Sequence, residues 1–398
     1  MASSDSNPSS RRLFIRGLSV LSAETAVAPF ESTARFSEAL GGRAIFPLSL
    51  AASDDVAAIA SLPEYAKLDR TTQMALAAAR RTITRAEGQH GVVGCVSLGS
   101  SRGPTESIER SLEELRSGAT RMSALTSPVT TAGNLSSWIA QQILSGSLAT
   151  SAAPIAAIST SMTCSSAFQS LIVSYAMLQG GIAETCLFGG SEACLTPYTM
   201  AQLDALRIYS TIRDATPCRP CAVSDDGENT VVLGEAAGTA LLVRDSGPRL
   251  PGDLELLGIG WAVEQIPSAT GITDEGQAFE SAMRMARKTL PEGTSVDGVI
   301  LHAPGTVRGD RAEQVAVKRA FGEVEMFTTK HRSGHTYGAS GMVSLALAQE
   351  LLTGTMWRGV GYESTLAPLG SRSPKAFAVN TAGFGGNAVT VVVAAPNS

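Results

Sequence analysis

The sequence predicts an α/β layered fold. Three features of its 398 residues point there. Short apolar runs alternate with longer helical patterns, the arrangement that builds sheets flanked by helices. Most of the short runs are β-branched and apolar at both alternating positions, as in strands covered on both faces. The second half of the chain also echoes the first.

Strands are expected at 13–20, 92–98, 155–159, 184–189, 231–243, 254–261, 296–301, 326–328, 376–380 and 388–394. Helices are expected at 71–84, 108–117, 166–179, 277–289, 311–321 and 341–352. In the first half, the strand at 155–159 leads through Thr163-Cys164-Ser165-Ser166 into an apolar helix. A strand, a Gly-rich turn, Gly234-Glu235-Ala236-Ala237-Gly238 and a hairpin arm follow. In the second half, Phe327-Thr328-Thr329-Lys330 leads through Gly334-His335 into a helix of small residues. A strand, Asn380, the turn Gly383-Phe384-Gly385-Gly386 and a last strand follow. An internal duplication would set the two helix starts beside one pseudo-twofold axis, with Cys164 close to His335. Pro-Arg-Leu-Pro-Gly-Asp at 248–253 is the best boundary. The expected organisation is a disordered tail over 1–11, one half over 12–250 and a second over 251–398.

Composition narrows the function. Hydrophobic residues make up 44% and charged residues 17%, enough for a large core and too little charge for a disordered chain. The net charge of −5, from 31 basic and 36 acidic residues, argues against a nucleic-acid binder built on phosphate contacts. No apolar run is long enough to predict a membrane-spanning helix. Six cysteines are too sparse for a disulfide scaffold, and a reducing cytoplasm is expected. Ser-Arg-Arg-Leu-Phe-Ile-Arg at 10–16 looks like a twin-arginine export signal. Glu24 interrupts the apolar stretch that such a signal needs, so a tail followed by a first strand is expected instead.

The chemistry centres on one cysteine and two histidines. The four histidines are His90, His302, His331 and His335. His302 and His335 each sit beside a Gly-rich turn after an expected strand. Cys164 sits where a strand meets a helix, a place that biases a thiol toward thiolate. A nucleophilic cysteine beside imidazoles suits acyl transfer. Cys218-x-x-Cys221 with His331-x3-His335 is formally a zinc pattern, but the pairs lie more than 100 residues apart. No metal and no cofactor are expected. Cys95, Cys186 and Cys194 read as packing residues, His90 as solvated, and His331 as beside the site rather than in it.

These residues together resemble the elongating β-ketoacyl-acyl-carrier-protein synthases, condensing enzymes of the thiolase fold. The resemblance spans residues 12–396. Thr163-Cys164-Ser165-Ser166 is similar to the family's nucleophile motif, and His302-Ala-Pro-Gly-Thr306-Val-Arg-Gly309-Asp310 to its first histidine motif. Thr329-Lys330-His-Arg-Ser-Gly334-His335 is similar to the lysine-to-second-histidine motif. Asn380-Thr-Ala-Gly383-Phe384-Gly385-Gly386-Asn387 is similar to the terminal Gly-rich loop. The order of the four, and the 138 and 33 positions that separate Cys164, His302 and His335, carry more weight than any one alone.

The resemblance implies a layered αβαβα architecture of two pseudo-symmetric halves. It implies that Cys164 accepts an acyl group, with backbone N–H groups of Cys164 and Phe384 holding the oxyanion. His302 and His335 would stabilise the enolate left when a malonyl thioester loses CO2. Lys330 would order the site electrostatically with Asp310 and Glu313, which share a helix face. Phe384 would gate the two half-reactions, and Thr306 would bind the pantetheine arm. Lys67 and Arg70, and more weakly Arg207 and Arg213, would meet an acidic acyl carrier protein. The implied partners are that carrier protein and a second subunit, identical or homologous, with 126–141 near the seam.

Three departures stand out. Ala303-Pro304 replaces the family's Gly-Thr, Ser344 replaces a buried glutamate, and two extra residues follow Asp226-Gly227. They suggest a specialised synthase of a secondary-metabolite or polyene pathway. They also support an alternative: a catalytically silent, chain-length-factor type subunit.

Overall fold

The computed structural model describes residues 12–23, 34–89, 91–146, 148, 154–223, 227–245, 248–266, 268–357, 359–366 and 374–396. The expected tail over 1–11, His90 and Asp226 lie outside them.

The strands, in chain order, are β1 (Leu13–Leu21), β2 (Arg35–Ser37), β3 (Arg43–Phe46), β4 (Val93–Gly99), β5 (Ala156–Thr160), β6 (Thr185–Glu192), β7 (Leu233–Gly234), β8 (Ala236–Arg244), β9 (Leu254–Val263), β10 (Gly298–Ile300), β11 (Glu325–Phe327), β12 (Ala376–Gly383) and β13 (Asn387–Ala394). The helices are α1 (Leu50–Ala60), α2 (Arg70–Arg85), α3 (Thr105–Arg116), α4 (Thr126–Thr130), α5 (Leu135–Leu144), α6 (Ser166–Gln179), α7 (Pro197–Leu206), α8 (Gln277–Lys288), α9 (Val307–Phe321), α10 (Lys330–Ser333) and α11 (Ser340–Leu352).

Ten strands form one hydrogen-bonded series, β11-β10-β12-β13-β9-β1-β8-β6-β4-β5. It reads as the same five-strand pattern twice. In the first half, β4 pairs parallel with β5 and β6, and β8 runs antiparallel between β6 and β1. In the second, β10 pairs parallel with β11 and β12, and β13 runs antiparallel between β12 and β9. The halves join where Leu13–Ile15 meet Leu254–Leu256.

Side-chain alternation separates the layers. Cys186 and Phe188 of β6 join the central core with α6, while Leu187 joins the outer core with α2 and α5. Helix α6 packs on β4 and β6, α11 on β12, and the two helices touch each other. On the far side, α8 covers β9 and β13 and carries α9. The result is the expected αβαβα layering. Among the described residues, no helix is long and apolar enough to cross a membrane.

Local chemistry sets the elements. Helix α2 is rich in Ala and Thr and buries most of its length. The Asp69 carboxylate caps it by accepting from Thr71 N at 2.8 Å, and also accepts from Ser107 N at 2.9 Å. Helix α8 carries Glu280 in its first turn and Arg287 and Lys288 in its last, matching the helix dipole.

One expectation needs correction. The run 231–243 is not one strand: β7 joins a small sheet with β2 and β3, and β8 joins the large one. Between them the buried Glu235 turns out of the ladder to meet Arg70. The arm that follows, β8, pairs antiparallel with β6. The sequence reading also missed α7, although Thr196 accepts from Thr199 N and Pro197 opens the first turn.

One buried ion pair ties β1 to the link between the halves. Arg16 donates to Asp253 at 2.7 and 3.2 Å, and to the carbonyls of Gln89 at 2.6 Å and Pro248 at 2.8 Å. Both side chains are almost fully buried. Arg16→Met should therefore lower stability by about 3–5 kcal/mol, because it strands the Asp253 charge. Denaturant unfolding checks this, and an unchanged midpoint would contradict it.

Candidate active site

Cys164 sits in the turn between β5 and α6. Serines shape that turn: Ser166 Oγ donates to Thr163 O at 2.6 Å and accepts from Met162 N at 2.9 Å. Ser165 Oγ donates to Asn387 Oδ1 at 2.5 Å, which ties the turn to the β12–β13 hairpin. Thr163 pays for the sharp turn with a φ of +49°.

His302 follows β10, and its position is set by Glu313 on α9. That buried carboxylate accepts His302 N and Ala303 N, both at 2.8 Å, and Asn380 Nδ2 at 3.0 Å. Asp310, one turn earlier, accepts Cys221 N at 2.9 Å, Thr306 N at 3.1 Å and Gly305 N at 3.3 Å. His335 is pinned from both sides of its backbone: its N–H donates to Val232 O at 2.7 Å, and its carbonyl accepts Gly234 N at 3.2 Å.

These elements bring the three expected residues together. His335 Nε2 lies 3.1 Å from Cys164 Sγ. The two imidazoles meet edge to face with centroids 5.2 Å apart. The sulfur and one nitrogen from each ring lie within 4.8 Å of one another, so this trio could also hold a soft metal ion. They border a cavity of about 360 Å³ with Pro304, Thr306 and Phe384 at its walls. Apolar Leu203, Leu206 and Ile208 add a side that the sequence reading did not identify.

Burial decides the resting protonation. It raises the Cys164 thiol to about 12, with Glu192 pushing the same way and Lys330 against it. The expected thiolate bias is thus overturned: desolvation outweighs the helix start. Burial lowers His335 to about 3 and drives His302 well below the ordinary imidazole range. Lys330 is lowered by burial to about 8, with Glu313, Cys218, Cys164 and Asp310 holding its charge in place. Burial raises Glu313 to about 6 and Asp310 to about 7. At neutral pH the pair at the centre is a thiol beside a neutral imidazole. The Ser340 hydroxyl lies 3.4 Å from His335 Nδ1, and a hydrogen donated there leaves the ring proton on Nε2.

The other expected residues divide. Phe384 is 40% exposed at the cavity wall, in a turn made by Gly385 and Gly386 at φ +90° and +72°. Thr306 also borders the cavity. Lys67, Arg207 and Arg213 are exposed, and Arg207 lies between the cavity-lining Leu206 and Ile208. Arg70 is engaged elsewhere, with Nε and Nη2 each 3.0 Å from a Glu235 oxygen. His331 packs its ring edge-on to Trp357 and does not border the cavity. Ser344 is buried, with no hydrogen-bond partner for its hydroxyl.

Sequence reasoning missed Glu192. Its buried carboxylate accepts Ser100 Oγ at 3.0 Å, Ser101 N at 2.7 Å, Arg102 N at 2.9 Å and Gly338 N at 3.0 Å. It ends a strand that is buried along its whole length, and that setting hid it.

Residues 31–247 match the family described as Beta-ketoacyl synthase, N-terminal domain, and residues 255–357 match Beta-ketoacyl synthase, C-terminal domain. A putative polyketide beta-ketoacyl synthase 1 of Streptomyces halstedii is 32% identical over 217 residues, covering 51% of this chain and 50% of that protein. A 3-oxoacyl-[acyl-carrier-protein] synthase 2 of Vibrio harveyi is 33% identical over 198 residues, covering 47% and 46%. The chain thus spans about half the length of these two curated relatives. The solved ishigamide ketosynthase/chain length factor superposes with a TM-score of 0.81 at 20% identity, over 97% of this chain and 100% of that one. At that identity the likeness shows the thiolase-type fold alone. By its matches to both family models, this chain belongs to the beta-ketoacyl synthase family.

Proposed function

We propose that this chain catalyses a decarboxylating Claisen condensation between a Cys164-bound acyl group and a malonyl thioester on an acyl carrier protein. The observation that carries it is the meeting of one thiol and two neutral imidazoles at a single cavity. Cys164 Sγ attacks the acyl thioester carbonyl, and the thiol proton passes to the departing pantetheine sulfur. The Cys164 and Phe384 N–H groups hold the oxyanion. The pantetheine leaves as its thiol, and His335 Nε2, 3.1 Å from Sγ, keeps its own proton. Thr306 guides the next arm in, and the malonyl group loses CO2. The enolate oxygen then accepts hydrogen bonds from His302 and His335. Two neutral donors suit this step, because charge builds on oxygen without a proton leaving carbon. The enolate carbon attacks the acyl-cysteine, the C–S bond breaks, and the released Cys164 thiolate takes up a proton from solvent.

Lys330, with Asp310 and Glu313, positions charge around the site. The carrier protein of the Vibrio harveyi relative's name is the acyl donor inferred here, docking near Lys67, Arg207 and Arg213. The edge strand β5, which ends the ten-strand series, suits a second subunit, identical or homologous. Six free cysteines favour a reducing cytoplasm. A silent, chain-length-factor type subunit is the second reading, supported by Pro304 and the unpartnered Ser344 hydroxyl.

Intact-protein mass after incubation with an acyl-carrier-protein thioester separates the two. The synthase gains the acyl mass and Cys164→Ala does not, whereas a silent subunit gains none. Acyl loading should also rise less steeply with pH above about 8, because Lys330 is charged below that value and neutral above it. Lys330→Met should load roughly tenfold slower per unit of thiol pKa gained, and lose that break in slope. A stopped-flow loading profile from pH 7 to 9 checks both.

A further inference from the structure

The wall beside the nucleophile bears on which acyl groups it takes. Tyr337 lies two residues after His335, in a tight turn, at a φ of +41°. Few bulky residues adopt that conformation without a reason in the surrounding packing. The reason here is the Glu192 carboxylate. It binds Gly338 N in the Tyr337 turn and, from the other side, Ser101 N and Arg102 N. The two segments are drawn so close that a Cβ on Gly338 would lie 2.6 Å from Ser101 N.

This clamp stacks a cation against the ring. The Arg102 guanidinium carbon lies 5.6 Å from the Tyr337 ring centroid and 5.7 Å from that of Tyr198, and Arg102 also donates to Gln202. Tyr337 also meets the chemistry, with its ring centroid 5.1 Å from that of His335. Tyr337 is only 5% exposed and borders the cavity with Cys164 and His335, whereas Arg102, Tyr198 and Gln202 do not border it. The cavity therefore ends at the Tyr337 ring on this side. An alkyl chain growing past it would have to displace an aromatic side chain and then lie against a guanidinium.

We propose that Tyr337, backed by Arg102, is a specificity-determining residue that restricts Cys164 to short acyl groups of the acetyl-to-butyryl class. The inference rests on Cys164 being the acyl acceptor. The step concerned is transthioesterification: the Cys164 S–C bond forms, the donor's C–S bond breaks, and the thiol proton leaves on the released pantetheine thiol.

The test uses the full chain with acetyl-, butyryl-, octanoyl- and dodecanoyl-pantetheine as probes, and intact mass against time as the readout. The wild type should load acetyl and butyryl at least about tenfold faster than octanoyl or dodecanoyl. Tyr337→Gly, which accepts the positive φ, should raise the octanoyl-to-acetyl ratio by about tenfold or more. Arg102→Ala should raise it less, and Tyr337→Phe, which keeps the ring, should keep the acetyl preference. A wild type that loads octanoyl as fast as acetyl overturns the proposal, whatever the variants do. So does a folded Tyr337→Gly with an unchanged ratio. Absence of any acyl mass on Cys164, with every probe, overturns the condensing reading itself and this inference with it.

Discussion

The site depends on one close contact, the crossing of α6 and α11 between the two halves of the sheet. Gly341, one residue into α11, meets the ring of Phe168 on α6, and a Cβ there would lie 2.8 Å from that ring. Because the helices approach this closely, their starts are neighbours. Cys164 precedes one and His335 precedes the other. Two residues 171 positions apart thus come to lie 3.1 Å apart through packing of side chains that take no part in the chemistry. A close-packed interior holds such a distance because neither helix can slide without opening a void.

The second constraint is dryness. Cys164, His302, Lys330, Glu313 and His335 are all buried. Burial keeps the thiol protonated and the imidazoles neutral, so these three groups carry no charge at rest. Glu313 would be costly in such a place alone. It is held by two backbone N–H groups and Asn380, and it helps keep Lys330 charged. The same carboxylate therefore fixes the loop that carries His302 and balances the lysine. Glu192 binds another part of the wall in the same way, tying Ser101, Arg102 and Gly338 together.

What could be read in the chain varied with how local the cause was. Helix α6 follows directly from its apolar run, and its observed bounds match the expected 166–179. Strands buried on both faces stood out by composition, as β13 shows. The break at Glu235 did not, because the residue flanks a run of apolar neighbours and leaves the ladder only to reach Arg70 from a distant helix. The thiolate expected for Cys164 followed from its place at a helix start. It failed because desolvation is set by everything packed around the sulfur, and no local pattern contains that.

The order and spacing of Cys164, His302, Lys330 and His335, and the duplication that pairs their surroundings, were settled by the sequence, since motif chemistry and periodicity are written along the chain. Tertiary structure decided their protonation, the left-handed Tyr337 with Arg102 stacked on it, and the engagement of Arg70 by Glu235. Each of these is a contact between residues far apart in the chain. Its energy depends on distance and on exclusion of water, and both arise only when the layers close.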